Sequence, residues 1–254
     1  GPGAVAWTHG RIPEPADEVP MSQAQPYTIP VAQLDADSRA DFMVKVYQHL
    51  VAAIVAFMAF ETLLFATGAA EGIYNMVYGS GGVWLLVLGG FMVVNWLATA
   101  AAHDLANPGR QYGGLFALAG AEALIFAPFL WYVFNEGGGG TATVASAAVI
   151  TALGFTGLTI VGLVTRRDLS FMRPLLLWAG VMSLVLIVAA VLFGLELGVW
   201  FTLGMIALAG GAIIYQTQTI MRHYPQEAYV GASIQLFASV MLLFWYVLRL
   251  FSRR

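Results

Sequence analysis

Cysteine is absent from this chain of 254 residues, and charged residues make up only 10% of it. The lack of cysteine excludes a disulfide framework, a thiol nucleophile and a cysteine metal site. A soluble domain carries roughly 25% charged residues, so this chain has too few charges to cover a surface in water. The four histidines lack metal-ligand spacing. Because no serine triad, phosphate loop or dense basic stripe occurs either, we predict a protein that is not an enzyme and binds no cofactor, metal or nucleic acid.

Hydrophobic residues make up 59% of the chain, and they are concentrated in seven runs. Each run is close to the roughly 20 residues that cross about 30 Å of hydrocarbon as a helix. Helices are the expected form because they satisfy all their backbone hydrogen bonds internally in lipid. The runs are about Met43–Gly68, Gly82–Ala102, Tyr112–Phe134, Ala142–Val164, Pro174–Phe193, Leu197–Ile220 and Tyr229–Phe251.

The pattern predicts an all-α membrane protein with about seven transmembrane helices in the lipid bilayer. Residues 41–254 are expected to form the helical bundle. Residues 1–40 are polar and rich in proline, with Pro13, Pro15, Pro20, Pro26 and Pro30 among them. This composition predicts a disordered or extended N-terminal tail, because such a segment buries too little apolar surface to offset its ordering entropy.

The distribution of arginine and lysine predicts the orientation of the bundle. Basic residues precede the first run and lie between runs two and three, four and five, and six and seven, whereas the other three loops carry none. By the positive-inside rule, the N-terminus is cytoplasmic. Arg249, Arg253 and Arg254 conflict with this pattern, because a full crossing by the seventh run places them outside. A re-entrant seventh run therefore stays open as an alternative to a full crossing.

Several short stretches resemble the Bax inhibitor-1 family of membrane proteins, in the order and spacing that the family has. No single stretch is decisive, and the resemblance extends from about Arg39 to Arg249. The stretches are Arg39–Tyr47, Ala127-Pro128, Gly154–Thr159, Thr165–Phe171, Tyr215–Gln218 and Gln235–Ser239.

The resemblance implies a fold in which six helices surround a central C-terminal helix. The resemblance is to a bacterial-type member of the family. This implies that the protein lies in the cytoplasmic (inner) membrane. Some family members are calcium leaks that sense pH through two aspartates on the last two helices. Others modulate cell-death pathways or, in bacteria, a membrane-bound AAA protease.

This chain departs from the family at both sensor positions. Gln216 matches the first aspartate and Ser239 the second. Neither side chain titrates near neutral pH, although the two can hydrogen-bond to each other. The mechanism of the leak members therefore does not transfer, and any pH sensing requires other residues.

Two other carboxyl groups lie inside predicted spans, where charge is costly and indicates function. Glu122 lies near the middle of the third run, and Glu61 lies well inside the first. No basic residue lies at their depth, so each is protonated, hydrated or hydrogen-bonded. A cation or proton site and a protonated packing carboxyl are equally good interpretations of Glu122. Glu61 lies closer to the interface, which favours the packing interpretation.

Two functions follow as hypotheses. The first is a passive, pH-influenced cation (calcium) or proton leak, with Glu122 and Glu61 as candidate sites. The second is a non-transporting regulatory subunit that binds another membrane protein, such as a membrane AAA protease. In that case the partner is expected to contact the N-terminal tail or the cytoplasmic loops.

Overall fold

The computed structural model describes residues 29–79, 81–102 and 104–253, and these residues form helices and their connections. A short 3₁₀ turn, Val31–Gln33, precedes eight α-helices in the described residues. The predicted all-α class is confirmed. In chain order the helices are α1 (Ala36–Ala66), α2 (Ala69–Gly79), α3 (Gly81–Ala102), α4 (Pro108–Asn135), α5 (Gly140–Val164), α6 (Met172–Phe193), α7 (Val199–His223) and α8 (Tyr229–Phe251).

Seven of these helices are long and apolar enough to cross a membrane, and they correspond to the seven predicted runs. The remaining helix, α2, was not predicted. Its 11 residues are too few to span the hydrocarbon. It lies against α4, where the ring of Tyr74 stacks on Trp131 with centroids 4.3 Å apart.

The helix ends follow from local sequence. Asp35 caps α1 by accepting a hydrogen bond of 2.8 Å from the amide of Ser38, as an N-cap aspartate does. Asn107 caps α4 in the same way and is followed by Pro108 at the first helical position. The turn between α4 and α5 contains Gly137 and Gly139, both in the left-handed region with φ of 99° and 86°. Glycine is favoured at these two positions because side chains are strained at such φ values.

The most enclosed helices are α4 and α8. α8 packs against α1, α3, α4, α5 and α7, whereas α6 lies outside, on α7 and α3. Aromatic rings fill the contact between α4, α1 and α8. Phe126 lies with its ring centroid 5.2 Å from that of Phe57, 5.5 Å from that of Phe244 and 4.9 Å from that of Trp245. This cluster joins the two enclosed helices to α1.

The last helix runs the full height of the bundle. Near its start, Gly231 lies against the backbone of Ala102 at the end of α3. Near its end, Trp245 stacks on Trp84 at the beginning of α3, with centroids 6.0 Å apart. α8 is thus a continuous, fully traversing helix, which agrees with a full crossing by the seventh run and not with re-entry.

The chain just before α1 is attached to the bundle. Val31 is fully buried, and its amide donates to the carbonyl of Tyr224 at 2.9 Å. These residues belong to the segment predicted as a tail. Residues 1–28 of that segment lie outside the described residues.

Candidate functional site

A large groove separates α1 from α5. Both helices pack against α8, but they diverge from each other and leave a cavity of about 1010 Å³. Along α1 the groove extends from Tyr47 to Ala66, which is about 28 Å at 1.5 Å per residue. This length is close to the thickness of the hydrocarbon core. The wall is mainly apolar, and α8 contributes its floor through Val240, Met241 and Phe244.

Glu61 is the carboxyl group of this groove. Its side chain lines the cavity and is only 7% exposed. Neither carboxyl oxygen has a hydrogen-bond partner among the described residues. Leaving a buried polar group unpaired is costly, so such a group usually marks a water, an ion or a chemical role. The packing interpretation, in which Glu61 is hydrogen-bonded to the protein, has no partner to support it.

Four more unpaired hydroxyl groups lie on the same side of the molecule. Tyr47 and Thr151 line the groove, and their hydroxyl oxygens are buried without a hydrogen-bond partner. The same holds for Thr159 on α5 and Thr217 on α7. The Tyr47 and Thr159 hydroxyls lie close together without reaching hydrogen-bond geometry. The buried unpaired oxygens of the described residues therefore cluster on α1, α5 and α7.

Glu122 lies in a different environment. It is 5% exposed and does not contribute to the wall of the groove. One turn later on the same face of α4, Phe126 is enclosed by rings from α1 and α8. Ala119 and Ala123, which lie three residues before and one residue after Glu122, are fully buried. Both predicted carboxyl positions are therefore buried, but they are not brought together, and only Glu61 lies on the cavity.

Gln216 and Ser239, the positions predicted to match the family aspartates, are in contact. The hydroxyl of Ser239 on α8 donates to Oε1 of Gln216 on α7 at 2.8 Å. The expected neutral hydrogen bond is present, and it joins the last two helices without a titratable group. Nearby, Gln218 donates to the carbonyls of Thr165 and Arg167, so the polar end of α7 is tied to the α5–α6 loop.

The described residues contain no group of three or more histidine, aspartate or glutamate side chains that could hold a metal ion. Calcium in proteins takes six to eight oxygen ligands, several of them carboxylates. A groove with one carboxyl group and a few hydroxyls does not provide such a set. A single carboxyl group can exchange a proton or form a hydrogen bond to a guest molecule.

The four hydroxyl residues of this site were not predicted. Threonine and tyrosine inside apolar helices are common, and most of them bond their own helix. Thr62, Thr156 and Thr165 do so here, at distances of 2.6–2.8 Å. Which hydroxyls are left unpaired depends on how the helices pack, and the sequence has no signal for it.

Comparison with known proteins gives two findings. The family model "Inhibitor of apoptosis-promoting Bax1" matches residues 39–254. The uncharacterized protein PA2604 of Pseudomonas aeruginosa is 34% identical over 141 residues, which cover 54% of this chain and 61% of that protein. The matched region thus spans less than two thirds of this relative. Because the family match covers nearly all of the described bundle, this chain is an integral membrane protein that belongs to the Bax inhibitor-1 family.

Proposed function

We propose that this protein is a passive proton leak, and that Glu61 is the group that carries the proton through the membrane interior. The observation that carries the proposal is the clustering of buried, unpaired oxygens along the α1–α5 groove. Water is the usual partner of buried oxygens that have none in the protein, and the cavity beside Glu61 is large enough to hold it. Water between such oxygens forms the hydrogen-bonded chain that proton transfer requires.

The positions of these groups support a path through most of the bilayer. Glu61 and Tyr47 are fourteen residues apart on α1, about 21 Å along the helix axis. Thr151 lies between them on the opposite wall. Thr159 and Thr217 continue from Tyr47 toward Gln218, which contacts the loop between α5 and α6. Polar groups thus follow one another from Glu61, in one half of the membrane, to the α5–α6 loop at the other end of the bundle.

The rest of the molecule favours a proton over calcium. A single carboxyl group takes up and releases one proton, whereas a calcium path needs several acidic oxygens. Gln216 and Ser239 form a neutral contact and cannot serve as a two-carboxylate sensor. Glu122 lies outside the groove wall, so it takes no part in the proposed path.

The test is proton flux into proteoliposomes that contain a pH-sensitive dye, driven by a potassium diffusion potential. Glu61→Gln keeps the shape of the side chain and removes its acidity, and Glu122→Gln makes the same change outside the groove. We expect wild type and Glu122→Gln to conduct, and Glu61→Gln to conduct at least about tenfold less, since a positioned proton-transfer group typically contributes this much or more. Wild-type flux equal to that of empty vesicles, or full flux in Glu61→Gln, contradicts the proposal.

A second candidate function is a regulatory subunit that binds another membrane protein, such as a membrane AAA protease. The lateral opening and apolar wall of the groove support it, because an unfilled apolar surface of this length suits a membrane-embedded helix. Co-reconstitution with the protease tests this function through the rate at which a membrane substrate is degraded. An effect that is lost in Ala148→Trp, which fills the groove, supports regulation. An unchanged degradation rate with the wild-type protein rules it out for this protease.

A further inference from the structure

A second cleft lies where α3 begins and α6 and α8 end, and none of its lining residues belongs to the wall of the α1–α5 groove. Its volume is about 550 Å³. Arg249 and Arg253 form one wall, and Trp84 and Trp245 lie beside them. Ile187, Ala190 and Val191 of α6 provide an apolar wall. The cleft thus joins two cationic groups to a surface that suits a hydrocarbon chain.

The two arginines are held toward this cleft by the same backbone oxygen. Nη2 of Arg253 donates to the carbonyl of Leu197 at 2.7 Å, and Nη2 of Arg249 lies 3.4 Å from it. Neither guanidinium is within salt-bridge distance of a carboxylate in the described part of the chain. Glu196 also lines the cleft, but it is exposed. Each guanidinium has five donors, so most of them stay available for a ligand.

These arginines are also the ones that break the charge pattern of the sequence. They lie at the end of the bundle opposite Arg110 and Arg222, because α8 crosses completely. A charge that works against the positive-inside rule needs another reason to be there. Arg249 is part-buried among Trp84, Trp245 and Tyr246, and tryptophan and tyrosine are typical of the depth at which lipid headgroups lie.

We propose that this cleft binds one anionic phospholipid, with its phosphate on Arg249 and Arg253 and an acyl chain along α6. Arginine binds phosphate through two parallel N–H donors. The apolar wall of Ile187, Ala190 and Val191 then distinguishes a phospholipid from free phosphate. This site is independent of the proton path, and either proposal can fail without the other.

The test is native mass spectrometry of the delipidated full chain in detergent, titrated with phosphatidylglycerol or phosphatidylcholine. The variants are Arg249→Gln with Arg253→Gln and, as a matched control, Arg166→Gln with Arg167→Gln in the loop at the opposite end. We expect one tightly held phosphatidylglycerol in wild type and in the control. In the cleft variant its affinity falls about 30-fold, because each basic residue near an anionic lipid contributes about a factor of five.

Three further results decide the proposal. Arg249→Lys with Arg253→Lys keeps the charge and should retain part of the preference for phosphatidylglycerol over phosphatidylcholine. This result separates a binding defect in the glutamine variant from misfolding. Inorganic phosphate in excess should not displace the lipid, because it lacks the acyl chain; complete displacement overturns the assignment to a phospholipid. Equal affinity for both lipids in wild type, or an unchanged preference in the glutamine variant, overturns the site itself.

Discussion

The two buried carboxyl groups, Glu61 and Glu122, lie in regions that differ in packing although their exposures are nearly equal, at 7% and 5%. Around Glu122, α4 is enclosed by α1, α3 and α8, and aromatic rings and alanines fill the space. Around Glu61, α1 and α5 diverge and leave a cavity. Glu61, Tyr47 and Thr151 contribute to its wall, and their buried polar oxygens have no hydrogen-bond partner among the described residues. Burial alone therefore does not identify a site in this bundle. The two regions differ in whether the surrounding helices pack directly against the carboxyl group or leave a cavity beside it.

The largest expected effect comes from removing a ring on the closed side. Phe126 is fully enclosed and contacts rings from α1 and α8. Phe126→Ala leaves a cavity there, and we expect the free energy of unfolding to fall by about 3 kcal/mol or more. Thermal unfolding in detergent measures the loss.

Phe155→Ala is the matched variant on the groove side, where the ring already borders a cavity. Phe155→Ala should lower the free energy of unfolding by much less than Phe126→Ala does, because it removes few packing contacts. Equal losses at the two positions contradict the difference in packing between the two regions.

A smaller effect is expected where two helix backbones meet. A Cβ atom added at Gly231 lies 2.9 Å from the carbonyl oxygen of Ala102, whereas one added at Gly157 has no neighbour within 4 Å. Gly231→Ala must separate α8 from α3, at a cost of about 1–3 kcal/mol. Gly157→Ala should be neutral or slightly stabilising, because alanine favours the helix. The melting temperatures of the two variants, compared with wild type, test this difference, and a stable Gly231→Ala contradicts it.

The smallest expected effect lies in the loop after α5, outside the membrane-spanning helices. The hydroxyl and the amide of Ser170 both donate to Asp168 and hold the pKa of this carboxyl below its ordinary value. A lowered pKa in the folded state means that Asp168 adds stability above its ordinary pKa. This contribution is lost as the pH falls through the lower, folded-state value.

Asp168→Asn should therefore remove a small part of the acid dependence of unfolding. The measurement is a series of unfolding midpoints from neutral pH down to pH values below the ordinary aspartate range. Glu196→Gln, another exposed loop carboxyl, is the control. A midpoint that changes with pH equally in wild type and Asp168→Asn contradicts the stabilising role of this aspartate.

Most of the fold could be predicted because the bilayer sets the length of each helix. The seventh run coincides with α8, Tyr229–Phe251, and the other predicted ends fall within a few residues of the observed ones, apart from the start of α1 at Ala36. α2 could not be found by this criterion, since it does not span. Gly114 lies against Ala98, whereas Gly89 faces open space. Sequence spacing does not specify which face of a helix meets a neighbour.

The candidate site was less predictable for the same reason. The sequence could identify Glu61 and Glu122 as unusual, because charge is rare in the membrane. Its depth in the membrane favoured Glu122 as the functional group, whereas the structure places Glu61 on the cavity. The sequence does not show this, since the divergence of α1 from α5 is a property of the whole bundle. The contact between Ser239 and Gln216 was accessible only through the resemblance to a family.

The most direct test of a hydrated groove is the accessibility of single cysteines to water-soluble reagents. Because the chain has no native cysteine, only the introduced thiol reacts. Thr151→Cys places a thiol on the groove wall, and Ala123→Cys places one beside Glu122 on the closed side. Both are treated in intact vesicles with a small cationic methanethiosulfonate, and Ser170→Cys in the exposed loop serves as the positive control. If the groove is hydrated, Thr151→Cys reacts at a measurable rate while Ala123→Cys stays protected. Equal protection of both thiols contradicts a hydrated groove and, with it, the proton path through Glu61.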